Sequence, residues 1–130
     1  MTGIIIAGHG RLPEELLTVC AFILGKTEGI QSLSIDPATP AQEIRASFVK
    51  AIEEVDQGQG VLILTDLFGG TPSNMALSFL REGYVEVVSG VNLAMIIKAI
   101  QNRDKPPKEL APLVVEAGRK AITQASNLLE

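Results

Sequence analysis

The chain has 130 residues, 46% of them hydrophobic and 20% charged, with a formal net charge of −4. This length and composition predict that residues 1–130 form one globular domain and exclude a disordered chain. The acidic balance, without a cluster of Lys and Arg, argues against nucleic-acid binding. No apolar run approaches the roughly 18 residues of a membrane span, so we expect a cytoplasmic protein that does not insert into the membrane.

The first half of the chain alternates strand-like and helix-like patterns. A short apolar run with β-branched residues predicts a strand over residues 3–7. Apolar residues at helical spacing, between a proline and a glycine, predict a helix over residues 12–24. Residues 30–35 alternate weakly, which indicates an outer strand, and a second periodic segment predicts a helix over residues 40–55.

The second half continues the alternation around the most apolar run in the chain. That run, residues 61–64, predicts a central strand covered on both faces. A loop over residues 66–74 follows, and Ser73 or Asn74 is a candidate cap for a helix that continues to residue 80. The remaining predicted elements are a strand over residues 84–89, a helix over residues 93–101 and a mainly helical segment over residues 108–129 with a break near Gly118.

Strands separated by helices imply parallel crossover connections. We therefore expect a three-layer, doubly wound α/β fold. Its mainly parallel sheet should have four strands in the order 2-1-3-4, with helices on both faces. The segment Ala121-Ile122-Thr123 fits either a helix or an extra C-terminal edge strand.

His9, the single histidine of the chain, follows the first predicted strand between Gly8 and Gly10. Ligands of open α/β sheets collect beyond the carboxyl ends of the strands. An imidazole has an unperturbed pKa close to neutrality, so its neutral form can attack a phosphorus atom. Asp66 follows the third predicted strand, which neighbours the first, and its carboxylate could orient the His9 ring. The alternative is that Asp66 only caps its loop, and the two roles are compatible.

A glycine-rich loop before the third helix is a candidate phosphoryl-binding site. Gly69 and Gly70 allow backbone N–H groups to turn toward an anion, and the helix N-terminus favours negative charge. The hydroxyls of Thr71 and Ser73 could donate to phosphoryl oxygens. The alternative interpretation is a tight turn followed by a helix cap.

Several other residues have two interpretations each. Arg11 could neutralise a phosphoryl group or contact a partner protein, or it is a solvated surface residue. Phe68 is either a plug in the core or part of a protein-docking rim. Asn92 is better explained as a helix cap than as part of the cleft. Cys20 is the only cysteine, which excludes an intrachain disulfide, and its helical spacing predicts a small buried residue.

The sequence lacks the motifs of several other kinds of functional site. One histidine without a cysteine cluster supplies too few ligands for a zinc site. The chain has neither a P-loop nor a Gly-x-Ser-x-Gly turn. We therefore expect no metal site.

Three segments carry a family resemblance: residues 4–10 with the His-Gly pair, residues 60–74 with Asp-Leu-Phe-Gly-Gly-Thr-Pro, and residues 87–95. Together they resemble the enzyme IIA domain of the mannose family of the phosphoenolpyruvate-dependent sugar phosphotransferase system. The resemblance implies a phosphotransferase with a phosphohistidine intermediate at His9. Because the phosphoryl group would arrive already activated, we expect this chain to need no organic cofactor. It also implies that Asp66 pairs with this histidine and that Thr71 supplies the hydroxyl near the phosphoryl group.

The resemblance also implies partners. The donor would be HPr, charged by enzyme I from phosphoenolpyruvate, and we expect the acceptor to be a IIB protein on a separate chain. The family forms homodimers, partly by exchange of a C-terminal edge strand. The run Arg11-Leu12-Pro13 departs from the family pattern. Three alternatives stay open: the phosphoryl-donor subunit of a dihydroxyacetone-kinase system, a regulatory module whose phosphorylation state is read by a partner, and a small-molecule binder that uses the same cleft.

Overall fold

Four parallel strands form one sheet in the computed structural model, which describes residues 1–25 and 27–129. The strands are β1 (Gly3–His9), β2 (Ile30–Ile35), β3 (Val61–Thr65) and β4 (Val85–Ser89). Their spatial order is β2-β1-β3-β4, with β1 and β3 in the centre. This order confirms the predicted doubly wound α/β sheet.

Helices cover both faces of the sheet. They are α1 (Leu12–Leu24), α2 (Ala41–Val55), α3 (Thr71–Leu77), α4 (Leu93–Gln101) and α5 (Pro107–Lys120), followed by a 3₁₀ helix (Ala125–Leu129). Along β1, Ile4 and Ile6 pack into a core with α1, α4 and α5, whereas Ile5 and Ala7 pack into a second core with α2 and α3. All four side chains are fully buried, because side chains of a strand alternate between its faces and each face is covered.

Two boundaries near the carboxyl edge of the sheet differ from the sequence prediction. Strand β1 continues to His9, because β2 is long enough to pair Ile35 opposite it. Helix α3 begins at Thr71 with Gly70 as its N-cap, so the predicted caps Ser73 and Asn74 are wrong. Proline favours the first turn of a helix, which explains the earlier start. The helix also ends at Leu77 rather than residue 80.

The C-terminal part differs as well. Helix α5 passes through Gly118 without the predicted break and ends at Lys120. A Cβ atom at Gly118 would lie 2.6 Å from Met95 Cγ, so this glycine allows α5 to approach α4 closely. Residues 122–124 have no regular secondary structure. The segment around Ile122 therefore forms neither a helix nor an edge strand within one chain.

Two predictions about single residues are confirmed. Asn92 caps α4, since its side chain accepts a hydrogen bond from the Met95 N–H at 3.0 Å, and its amide also donates to the Gly118 carbonyl at 3.2 Å. Cys20 is fully buried on α1.

Arg103 joins the connection between α4 and α5 to the amino-terminal end of the sheet. It is 8% exposed. Its guanidinium donates to the carbonyls of Thr2 at 3.0 Å, Glu28 at 2.5 Å and Gly29 at 3.3 Å. Because the guanidinium is charged, these three hydrogen bonds are stronger than bonds between neutral groups. The connection is therefore held against the starts of both β1 and β2.

We expect Arg103→Met to lower the free energy of unfolding by about 2–4 kcal/mol, because a buried set of charge-assisted hydrogen bonds is lost. Urea denaturation measures this as a lower midpoint. Arg119→Met, at an exposed position, is the matched control and should leave the midpoint unchanged. Equal midpoints for the two variants would show that the Arg103 contacts do not stabilise the fold.

Candidate functional site

The predicted pair His9 and Asp66 meets at the carboxyl edge of the sheet. His9 is the last residue of β1, and Asp66 follows β3 directly. These strands are parallel neighbours, with Ala7 opposite Thr65, so both chains leave the sheet at the same place. The Asp66 Oδ2 atom accepts hydrogen bonds from the His9 backbone N–H at 2.8 Å and from the ring at Nδ1, 2.9 Å away.

This geometry selects one form of the imidazole. Burial acts to raise the pKa of the Asp66 carboxyl, but the backbone and ring N–H groups of His9 outweigh it and hold the pKa below its usual value. The carboxylate is then ionised near neutral pH and can only accept, so His9 Nδ1 carries the proton. In the neutral ring the free lone pair is then on Nε2, which has no hydrogen-bond partner among the described residues. The His9 side chain is 41% exposed, which leaves this nitrogen open to a partner.

The other carboxylate oxygen of Asp66, Oδ1, lies in a less favourable environment. Oδ1 is buried and has no hydrogen-bond partner within residues 1–25 and 27–129. A buried carboxylate oxygen without a donor is costly. The N–H groups of His9, and to a smaller extent the Leu67 backbone, favour the ionised carboxylate against this cost and keep its pKa low.

Gly8 makes room for the carboxylate. A Cβ atom at this position would lie 2.8 Å from both Cγ and Oδ2 of Asp66, closer than real Cβ contacts. Sequence reasoning treated Gly8 only as a neighbour of His9 and missed this role. The signal was present as a glycine inside a strand, which often marks a close approach of another group.

The predicted phosphoryl-binding loop lies against the free side of the imidazole. A Cβ atom at Gly70 would be 2.8 Å from Cε1 and 3.3 Å from Nε2 of His9. The backbone of Gly70 thus contacts the ring edge that carries the free nitrogen. Gly69 and Thr71 flank it and are exposed.

Ser73 lies elsewhere than its expected role requires. Its side chain is fully buried, and its hydroxyl is 3.3 Å from the Ser89 hydroxyl. This position does not favour direct donation to a phosphoryl group on His9. Ser89 and Thr65, which share this contact, were not singled out from the sequence.

The surface around the site has apolar and charged parts. Phe68 is 72% exposed and Leu67 is 62% exposed, so Phe68 is not a plug in the core. Arg11 is exposed and lies 3.2 Å from Glu15 Oε1 on the same helix. Its role toward a phosphoryl group or a partner stays a prediction.

The described part of the chain contains no group of three His, Cys, Asp or Glu side chains able to hold a metal ion. In the same residues, no helix has both the length and the apolar character needed to cross a bilayer. The arrangement at His9 is suited to a nitrogen nucleophile, because its ring is hydrogen-bonded to a carboxylate and its other edge lies near a glycine-rich loop.

Comparison with known proteins agrees with this geometry. The family model EIIA-man, described as the PTS system fructose IIA component, matches residues 3–111. The chain is 33% identical over 123 residues to the PTS system mannose-specific EIIAB component of Escherichia coli (strain K12), an alignment that covers 92% of this chain and 38% of that protein. It is 30% identical over 105 residues to the PTS system fructose-specific EIIA component of Bacillus subtilis (strain 168), covering 80% of this chain and 72% of that one.

A solved structure has the same fold throughout. The crystal structure of phosphotransferase system component EIIA from Streptococcus agalactiae superposes with a TM-score of 0.88 at 26% identity, covering 98% of this chain and 99% of that chain. The chain spans well under half the length of the Escherichia coli relative. The family match extends over most of the chain, including both His9 and Asp66, and it shows that the chain belongs to the mannose-type EIIA family of the phosphotransferase system.

Proposed function

We propose that this chain is a phosphocarrier that accepts a phosphoryl group from phospho-HPr on His9 and passes it to a separate IIB protein. It would serve sugar uptake and phosphorylation, or their regulation, and would act in the cytoplasm. The observation that carries this proposal is the 2.9 Å contact between His9 Nδ1 and Asp66 Oδ2. That contact leaves Nε2 as an exposed, unprotonated nucleophile.

The transfer step follows from the two ring nitrogens. The Nε2 lone pair attacks phosphorus, a nitrogen–phosphorus bond forms, and the bond to the donor breaks with its electron pair returning to the donor. The phosphorylated ring keeps the proton on Nδ1 and gains positive charge. The carboxylate of Asp66 stabilises that charge. When the IIB protein attacks the phosphorus, the bond between Nε2 and phosphorus breaks and its electron pair returns to Nε2.

The phosphoryl oxygens need donors on the Nε2 side of the ring. We assign this role to the hydroxyl of Thr71 and to backbone N–H groups of Gly69 and Gly70, since Gly70 contacts the ring near Nε2. The Gly70 N–H bonds the Leu67 carbonyl at a long 3.4 Å, so little is lost when it turns toward an anion.

Phe68 and Leu67 are suited to protein docking beside the nucleophile. A carrier meets two proteins in turn, and exposed apolar side chains favour the centre of such contacts. Both residues belong to the loop that follows Asp66 and are more than half exposed. Arg11, close to His9 in sequence, could contribute a charge to the same contacts.

We also propose a homodimer, for which two exposed features provide support. Strand β4 is an edge strand, and a groove of about 770 Å³ runs between it and α5. Apolar residues form part of the groove lining, including Val88 and Val115. Near the C-terminus, Ile122 is 80% exposed, Leu128 is 72% exposed and Leu129 is 88% exposed. An unpaired edge and an apolar C-terminal segment fit an exchange of that segment between two copies.

The proposal predicts that phosphoenolpyruvate, enzyme I and HPr label the wild-type protein and that His9→Ala removes the label. The label should be acid-labile and alkali-stable, as a phosphohistidine is. Because His9 is the single histidine, such a label can lie only there. Urea denaturation should show that the variant stays folded, because the ring is partly exposed. Label retained in His9→Ala would refute the assignment. No label on the wild type, with matched and active donors, would favour the dihydroxyacetone-kinase alternative.

Asp66→Asn should slow phosphorylation without abolishing it. Loss of one charge-assisted hydrogen bond, about 1.5–3 kcal/mol, corresponds to a rate roughly 10- to 100-fold lower. Rapid-mixing measurement of label on His9 gives this rate. Asp36→Asn is the matched control, because Asp36 is an exposed carboxylate just beyond β2. Equal rates for Asp66→Asn and the wild type would show that the carboxylate does not orient the ring.

Asp66→Asn should also change how the free energy of unfolding depends on pH. The folded-state pKa of Asp66 is lowered, so its ionised form stabilises the fold above the unfolded pKa, and this stabilisation is lost as pH falls through the folded pKa. The deficit of Asp66→Asn in free energy of unfolding should therefore be constant near neutral pH and shrink below about pH 4.

A further inference from the structure

Three hydroxyl groups meet where the loop after β3 begins and ends. Thr65 Oγ1 lies 2.7 Å from Ser89 Oγ, and Ser73 Oγ lies 3.3 Å from the same atom. Thr65 and Ser73 are fully buried, whereas Ser89 is partly exposed at the end of β4. We call Thr65, Ser73 and Ser89 the hydroxyl cluster.

The positions of the protons follow from burial. Among the described residues, Ser89 is the only hydrogen-bond partner of the Thr65 and Ser73 hydroxyls. Each buried hydroxyl has one proton that must be donated, and the Ser89 oxygen has two lone pairs. Both protons are satisfied only when Thr65 and Ser73 donate to Ser89. The proton of Ser89 is then directed outward, where this residue lines a small cavity of about 190 Å³.

The hydroxyl cluster bounds the catalytic loop on both sides. Thr65 precedes Asp66 directly, and Ser73 follows Gly70 by three residues. Between them the loop contributes the carboxylate that bonds His9 Nδ1 and the backbone that contacts the ring near Nε2. One side chain on β4 therefore connects the two ends of the segment that surrounds the imidazole.

The tip of the loop is held weakly, and its ends are held more firmly. The Gly70 N–H bonds the Leu67 carbonyl at 3.4 Å, which is at the long end for hydrogen bonds. The ends have shorter bonds, from His9 to Asp66 at 2.8 and 2.9 Å and from the Asn74 N–H to the Gly70 carbonyl at 2.9 Å. The position of the loop thus depends on its ends.

We propose that Ser89 is a positioning residue for phosphoryl transfer, acting through Thr65 on Asp66 and through Ser73 on Gly70 and Thr71. The inference rests on the proposed function of His9. Removing the Ser89 hydroxyl leaves two buried donors without acceptors and breaks the side-chain link between the end of β3 and the start of α3. The rate of transfer falls because a small misplacement of groups around a nucleophile slows its reaction.

The test compares Ser89→Ala, Ser89→Thr and Thr65→Val with the wild type in single-turnover phosphorylation by phospho-HPr at saturating donor. Ser89→Ala should react about three- to tenfold more slowly. Ser89→Thr keeps the hydroxyl at a partly exposed position and should recover most of the rate. Thr65→Val should also slow the reaction, because it removes another hydroxyl of the same cluster.

Thr2→Val is the matched structural control. Thr2 is fully buried like Thr65, and its hydroxyl donates to the Lys105 carbonyl at 2.6 Å, but at the opposite edge of the sheet. It should lower the unfolding midpoint and leave the rate unchanged. If Thr2→Val and Thr65→Val slow the reaction equally, the hydroxyl cluster has only a general stabilising role and the inference is wrong.

Amide hydrogen exchange over residues 66–74 is a second readout that needs no donor protein. Ser89→Ala should exchange faster there, and Ser89→Thr should resemble the wild type. If the wild type is labelled and Ser89→Ala reacts at the same rate, the inference on Ser89 fails and the phosphocarrier proposal stands. If the wild type is not labelled, the phosphocarrier proposal fails, and unchanged exchange in Ser89→Ala would separately refute the positioning role.

Discussion

The hydrogen bond between Asp66 Oδ2 and His9 Nδ1 constrains much of the structure around it. It requires β1 and β3 to be parallel neighbours, so that residues following each strand leave the sheet together. It requires Gly8 to lack a side chain, because a Cβ atom there would collide with the carboxylate. It leaves the second carboxylate oxygen, Asp66 Oδ1, buried and without a hydrogen-bond partner among the described residues. The interaction therefore couples the geometry of the sheet to the protonation state of one ring.

The sheet is rigid enough to hold this contact because its central strands are buried on both faces. Each of the two cores contains residues from alternate positions of β1 and β3, and the helices that cover them differ. Arg103 ties the opposite end of the sheet to the connection between α4 and α5. The functional side chains can then occupy loops and strand ends, where exposure is tolerated, without weakening the core.

Much of the fold could be predicted because it depends on patterns that repeat along the chain. Apolar runs, helical periodicity and turn residues identified the four strands and most of the helices, and the rule that ligands collect at strand ends placed His9 beside Asp66. The start of α3 was misplaced, since the favoured position of Pro72 competed with the capping preference of Ser73. The sequence signal at Gly118 was ambiguous, because a glycine in a helix can mark an end or a close helix contact.

Contacts between residues that are far apart in the sequence could not be predicted from the sequence alone. Ser89 meets Thr65 and Ser73 across 24 and 16 positions of the chain. Small hydroxyl residues occur in strands, loops and helix ends alike, so their type does not reveal a shared cluster. Arg103 was missed for the same reason, because its acceptors are backbone carbonyls and have no sequence signature.

The central claim is that Asp66 holds His9 in the form with a protonated Nδ1 and a nucleophilic Nε2. Nitrogen-15 NMR of protein labelled in the His9 ring tests this most directly, before and after phosphorylation. We predict that Nδ1 carries the proton in the unphosphorylated protein and that coupling to phosphorus appears at Nε2 afterward. A proton on Nε2 at neutral pH, or phosphorus bonded to Nδ1, would contradict the account.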